Sequence, residues 1–139
     1  MTNVFVYGSL LFPEIPEGLC QKKLQTENAI LNGFARFAVK GADYPAVIEK
    51  ENSNVKGKVL LNLDSRDIDL LTFYEGNEYE IVPVKIELNS GNINAVVYVW
   101  TGGDEFLETF DWDAERFGNE SLEFYRDEVV AATLKEYYG

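Results

Sequence analysis

Val4-Phe5-Val6-Tyr7-Gly8-Ser9-Leu10-Leu11 is the stretch on which the reading of this chain turns. Four residues of β-forming character run straight into Gly-Ser, and Pro13 then redirects the chain, so a strand is predicted to end here in a loop of small residues. Gly8 has no Cβ, which permits φ > 0 and a close approach of the main chain to a bound group. Successive N–H groups at such a strand end can converge on one concavity and hold an anion or a developing oxyanion. A buried strand followed by an ordinary turn is the commoner meaning of such a stretch, and the choice rests on residues further along.

Working outward, Phe12 to Gln25 contains Pro13, Pro16 and Gly18 and is expected to be a loop with at most a short helical piece at 19–23. Ile30, Leu31, Phe34, Phe37 and Val39 form a strand-like pattern with Gly33 as a bulge or bend. Tyr44-Pro45-Ala46-Val47-Ile48 follows, then a polar turn over 49–54 and a strand over 55–63 interrupted by Gly57. Glycines inside successive strands suit a strongly bent sheet, so a small barrel is expected. Val82, Val84, Ile86 and Leu88 alternate with polar partners, Asn89-Ser90-Gly91-Asn92 has turn chemistry, and the segment 95–100 returns as the paired strand. Pro83 places its end of the strand at an edge. A short helix near 114–117 and a final helix to about Tyr138 complete the order; Leu122, Tyr125, Val129 and Ala132 form a stripe assigned to packing on the sheet.

One helix is strongly signalled between Asp64 and Gly76. Asp64 or Ser65 can cap it, Asp67 suits its positive end, and Gly76 suits the left-handed exit. Ile68, Leu71 and Glu75 fall on one face, which is otherwise apolar. Glu75 therefore sits where a carboxylate is out of place, at the negative end of the helix dipole and beside Phe73 and Tyr74. Both influences raise a carboxyl pKa towards the range of a proton-transfer group. A solvated glutamate at a frayed helix end is the competing reading.

Composition limits the chemistry. The 139 residues, 46% hydrophobic, fit one domain with its own core, spanning residues 1–139. A formal charge of −12 disfavours nucleic-acid and anionic-membrane partners. There is no histidine, so a Ser-His-Asp or Cys-His relay and imidazole-based zinc sites are excluded within the chain. The single cysteine, Cys20, cannot form an internal disulfide and reads as a small apolar filler; neither it nor Ser9 has a local activating group. The N-terminus lacks a basic-then-apolar signal layout, and no apolar run approaches the ~20 residues of a spanning helix, so a soluble cytoplasmic protein is expected.

Val4-Phe5-Val6-Tyr7-Gly8-Ser9-Leu10, Tyr44-Pro45-Ala46, Val55-Lys56-Gly57, the run from Leu70 through Tyr74-Glu75-Gly76 to Tyr79, and Val97-Tyr98-Val99-Trp100 together carry a resemblance. In order and spacing they resemble the gamma-glutamylcyclotransferase-like superfamily, and within it the avirulence-induced-gene branch. The resemblance implies an α+β fold: a small mixed β-barrel with a few short helices and a C-terminal helix. It implies that Tyr7, Gly8, Ser9 and Leu10 form a pocket wall whose main chain holds substrate, and that Glu75 is the acid/base. The family's Leu-Asp-x-Phe-Glu pattern is replaced here by Leu71-Thr72-Phe73-Tyr74-Glu75, which leaves Glu78 as the alternative. Tyr44 and Tyr98 are further substrate-binding candidates, and Arg36 and Lys40 auxiliary contacts.

The implied reaction needs no cofactor and no metal. In a γ-glutamyl amide the free α-amino group attacks the side-chain carbonyl, closing 5-oxoproline and releasing an amine. Three readings stay open at this point: a cyclotransferase whose partner is a small γ-glutamyl compound, a non-catalytic binding protein on the same fold, and an interaction domain using exposed Trp112 and Tyr137-Tyr138. The identity of the leaving amine and the oligomeric state are not legible in the sequence.

Overall fold

The computed structural model describes all residues, 1–139. Five strands close into a barrel in the order β1-β3-β2-β4-β5, where β1 is Thr2–Val6, β2 Gln25–Ala38, β3 Pro45–Leu63, β4 Tyr79–Leu88 and β5 Gly91–Trp100. Neighbours are antiparallel except β1 and β5, which pair in parallel and seal the barrel. The fold is α+β, and the expected mixed barrel is what forms.

β1 explains why the opening run is apolar at every position. Phe5 and Tyr7 point into the barrel with Leu31, Val47 and Val59, whereas Val4 and Val6 face a second layer containing Ile15, Leu19, Leu71 and Phe117. A strand covered on both faces has no side for polar residues. The second layer is built by α1 (Glu14–Cys20), α2 (Ser65–Glu75), α3 (Ala114–Glu120) and a C-terminal segment. That segment comprises α4 (Leu122–Phe124), a π-helical turn (Tyr125–Val129) and α5 (Val130–Tyr138).

Several expectations are corrected. The presumed loop after Phe12 holds α1, because Pro16 lies in the helix's first turn, where no N–H partner is lost. Gly18 lets α5 approach, since a Cβ there would lie 3.2 Å from Val130. The polar turn at 49–54 is an irregularity within β3: pairing jumps from Asn32↔Asn54 to Phe34↔Glu49, with Gly33 at φ +83 on the opposite strand. Gly57 does not interrupt its strand. It pairs with Ala29, and a Cβ would sit 2.3 Å from the Val6 carbonyl oxygen, so the glycine permits strand crossing. The C-terminal stripe packs against α1 and α2 rather than the sheet.

The β4–β5 hairpin turns at Asn89-Ser90 with Leu88 opposite Gly91. β2 meets β4 through Ile30 and Glu87, far from Pro83, so the missing N–H at Pro83 costs no ladder bond there. No helix is long and apolar enough to cross a membrane.

Candidate functional site

α2 delivers Glu75 by construction. Asp64 caps the helix by accepting from the Asp67 N–H at 2.8 Å, and Asp67 accepts in return from the Asp64 N–H at 3.0 Å. Asp67 is buried to 2% exposure, and Lys22 Nζ lies 2.7 Å from its Oδ2, so the buried charge has both a cation and hydrogen bonds. Leu70 and Leu71 are fully buried and fix the helix against the barrel. Glu75 is the last helical residue, and Gly76 exits at φ +84, a conformation other residues rarely adopt.

Glu75 and the turn after β1 line one cavity of about 270 Å³. Tyr7, Gly8, Ser9, Leu10, Tyr44 and Tyr98 all border it. The seven residues singled out from the sequence thus come together around one space. Glu78 also reaches the lining, but from the exposed loop beyond Gly76. Partial burial at the helix end, against exposure in the following loop, favours Glu75 over Glu78 as the proton-transfer candidate.

Glu75 keeps some accessible surface, as a cavity-lining residue must, yet burial raises its pKa from the ordinary 4.5 to about 8. None of the side-chain hydrogen bonds in the structure engages its carboxyl, and no cation lies within ion-pairing distance. The group is held in a desolvating site without a protein partner, which leaves it open to a bound molecule.

Six tyrosines line the cavity, and five have their hydroxyl groups committed. Tyr7 donates to the Tyr98 carbonyl at 2.6 Å, and the Tyr98 and Thr72 hydroxyls are 2.8 Å apart. Ser9 Oγ is 2.7 Å from the Tyr74 hydroxyl, Tyr79 donates to the Pro45 carbonyl at 2.7 Å, and Tyr125 donates to Asp43 at 2.6 Å. Burial raises the pKa of these phenols, that of Tyr98 to about 12, so they stay neutral near pH 7. Tyr44 alone has no hydrogen-bond partner for its hydroxyl. Tyr7 and Ser9 therefore fix the loop and the wall through their side chains, while Tyr44 remains available to a ligand.

The role of Gly8 differs from the expected one. Its φ is −129°, not positive, and what excludes a side chain is Pro45: a Cβ would lie 2.8 Å from Cγ and 2.9 Å from Cδ of that ring. Gly8 to Leu10 lead into a single 3₁₀ turn closed by Leu11 N–H to the Gly8 carbonyl at 2.9 Å. The N–H groups of Gly8, Ser9 and Leu10 enter none of the turn, cap or side-chain bonds, as expected at the start of such a turn.

Arg36 and Lys40 do not line the cavity. Arg36, with 16% of its side chain exposed, donates to the Tyr7 carbonyl at 2.8 Å and pairs with Asp111 at 2.7 and 3.2 Å, tying the loop to the chain near Trp112. Lys40 is on the surface. Trp112 is 7% exposed and donates to the Asp43 carbonyl at 2.8 Å, so it presents no exposed aromatic face. Cys20 is buried among apolar residues and its thiol pKa is pushed up to about 12 by burial, which agrees with a filler.

Among the lining residues not named as site candidates from the sequence are Tyr74, Tyr79, Tyr125 and Val129. The first two flank Glu75 inside the quoted motif and were legible as neighbours. Tyr125 and Val129 looked like packing positions, because helical periodicity assumes 3.6 residues per turn and a π turn breaks that count.

A family model described as "Gamma-glutamyl cyclotransferase, AIG2-like" matches residues 4–114. The chain belongs to that family. Among its relatives in Arabidopsis thaliana, AIG2-like protein A is 40% identical over 117 residues, covering 83% of this chain and 71% of the relative. Protein AIG2 C is 32% identical over 117 residues, with 83% and 71% covered. A solution structure of another Arabidopsis thaliana protein superposes with a TM-score of 0.73 at 29% identity, over 99% of this chain and 84% of that one. A solved gamma-glutamyl cyclotransferase shares the fold at 16% identity, with a TM-score of 0.63 over 94% and 86% of the two chains. The AIG2-like match contains the 8–10 turn, Tyr44, Glu75 and Tyr98, whereas Tyr125 and Val129 lie beyond it.

Proposed function

We propose that this AIG2-like protein is a γ-glutamyl cyclotransferase with Glu75 as its single acid/base. The observation that carries the reading is the Glu75 carboxyl, unpartnered and partly dehydrated, in one cavity with Gly8, Ser9 and Leu10, whose N–H groups enter none of the turn, cap or side-chain bonds. A γ-glutamyl amide supplies its own nucleophile. Glu75, in its ionised form, takes a proton from the α-ammonium; the freed amine attacks the γ-carbonyl carbon and a tetrahedral oxyanion forms. Glu75 then returns the proton to the amide nitrogen as the C–N bond breaks. It takes the second proton that the ring nitrogen sheds and passes it to the released amine, so that neutral-ring 5-oxoproline and a protonated amine leave with no water consumed.

Main-chain N–H groups at Gly8 to Leu10 bind a substrate oxygen, and the Tyr44 hydroxyl supplies a further polar contact. The overall negative charge of the protein does not oppose this, because N–H dipoles act locally. A pKa of about 8 keeps the carboxyl able to give and take a proton near neutral pH. Such a role is worth about 10²- to 10⁴-fold in rate. Incubating the protein with γ-glutamyl amides and detecting 5-oxoproline tests the reading, with Glu75→Gln as the control that keeps shape and removes proton transfer. Product from the native chain and none from the variant is expected. Binding without product from either would leave a non-catalytic binding protein; undiminished turnover by the variant would remove Glu75 from the mechanism.

A further inference from the structure

We propose that Arg36 is a positioning residue for the reaction: its guanidinium polarises the peptide group between Tyr7 and Gly8 and strengthens the Gly8 N–H as a donor to the substrate oxygen. The proposal rests on the cyclotransferase reading and adds to it a residue outside the cavity. Arg36 Nη1 donates to the Tyr7 carbonyl at 2.8 Å. It is the one hydrogen bond in the structure from a lysine or arginine to a main-chain carbonyl; the others that these side chains donate go to side-chain oxygens.

The peptide is trans, so its N–H and C=O point to opposite sides. Arg36 holds the carbonyl from outside the lining, whereas Gly8 borders the cavity and turns its N–H away from Arg36. That N–H enters none of the turn, cap or side-chain bonds. The guanidinium is itself fixed, by Asp111 at 2.7 and 3.2 Å and by the Trp112 ring, whose centroid is 5.4 Å from Cζ. Asp111 is carried by a segment bonded to the end of β2, where the Ala38 N–H donates to the Phe110 carbonyl at 3.0 Å. Only 16% of the Arg36 side chain is exposed, so water screens its field little.

A hydrogen bond to an amide carbonyl draws charge from the nitrogen of the same amide and makes its N–H a stronger donor, more so when the bonding group is a cation. A neutral donor would hold the loop equally well. What arginine adds is positive charge behind an N–H, beside a cavity whose lining contains no lysine or arginine. The gain grows as the oxyanion forms, so it belongs to kcat rather than to KM.

Arg36→Gln, Arg36→Lys and Asp111→Asn are compared with the native chain by the amide proton shift of Gly8 in NMR, and by kcat and KM with γ-glutamyl methylamide. Arg36→Gln should move the Gly8 proton upfield and lower kcat about tenfold, while KM changes by less than about threefold. Arg36→Lys should move both in the same directions by smaller steps. Asp111→Asn removes the opposing charge, so it should move the Gly8 proton downfield and hold kcat within about twofold of native even though the thermal midpoint falls.

A tie that only holds the loop would make the two sides of the ion pair behave alike. A Gly8 signal unmoved by the Arg36 variants, a shift of the same sign in Asp111→Asn, or a kcat that follows the thermal midpoint across the variants overturns the proposal. If Arg36→Gln does not fold, the opposite signs expected of Arg36→Lys and Asp111→Asn decide. Absence of 5-oxoproline from the native chain counts against the cyclotransferase reading, whereas the Gly8 shifts need no substrate and are judged separately.

Discussion

Replacing Glu75 with Gln should make the protein more stable as pH rises, because the native fold holds this carboxyl where its charged form is disfavoured. In the folded chain the group titrates near 8, and in the unfolded chain near the ordinary 4.5. Between those values the folded state binds a proton that the unfolded state has released. Ionisation therefore pulls towards unfolding, and the stability present below pH 4.5 is lost progressively until pH 8. The difference of about 3.5 in pKa, at about 1.36 kcal/mol each, sets an upper limit of about 5 kcal/mol. Water reaching the cavity-facing carboxyl screens part of this, so a relative gain of about 2–4 kcal/mol above pH 8 is expected for the variant. Urea unfolding of both proteins from pH 5 to 9 measures it. The two should converge near pH 5 and separate with a slope of at most about 1.36 kcal/mol per pH unit. Parallel stability profiles would refute the reasoning, since they would mean that Glu75 is hydrated in the folded state. The same variant forms no 5-oxoproline in the proposed mechanism, so one substitution would trade function for stability.

Other outcomes follow from the same geometry. With a γ-glutamyl amide of neutral tail, kcat/KM should fall about tenfold per pH unit below 8 as Glu75 becomes protonated, whereas a profile flat from pH 6 to 8 would contradict a base with that pKa. Gly8→Ala should cost about 1–3 kcal/mol in chemical denaturation and displace the turn, because the added carbon meets the rigid Pro45 ring at 2.8 Å. Tyr7→Phe leaves the Tyr98 carbonyl without its donor and should cost about 1–3 kcal/mol; a neutral result would mean that water replaces the phenol. Arg36→Lys keeps the charge but loses the two-pronged contact with Asp111, and should lower the thermal midpoint more than Lys40→Ala on the open surface.

The sequence was enough to single out seven of the residues that line the cavity. The opening run, the Asp64-to-Gly76 capping pattern and the position of Glu75 at the end of an apolar face are short-range features, set by side-chain spacing and by the orphan groups at helix ends. The absence of histidine narrowed the chemistry without any coordinates. The irregularity at Gly33, a bulge or bend, and the half-buried strand over 82–88 are legible for the same reason, since a period of two depends on neighbouring residues alone.

What depended on the three-dimensional arrangement was every relation between distant segments. Gly8 and Gly57 are glycines because Pro45 and Val6 approach them, not because their own backbone angles demand it. Tyr125 enters the cavity through a π turn in a segment that periodicity assigned to packing, and Trp112 and Arg36 are interior ties rather than surface groups. The dehydration of Glu75 is likewise a property of the closed barrel and its helices. Sequence spacing states which residues share a face of one element. Burial, pairing and field come from elements far apart in the chain, and only the folded packing brings them together.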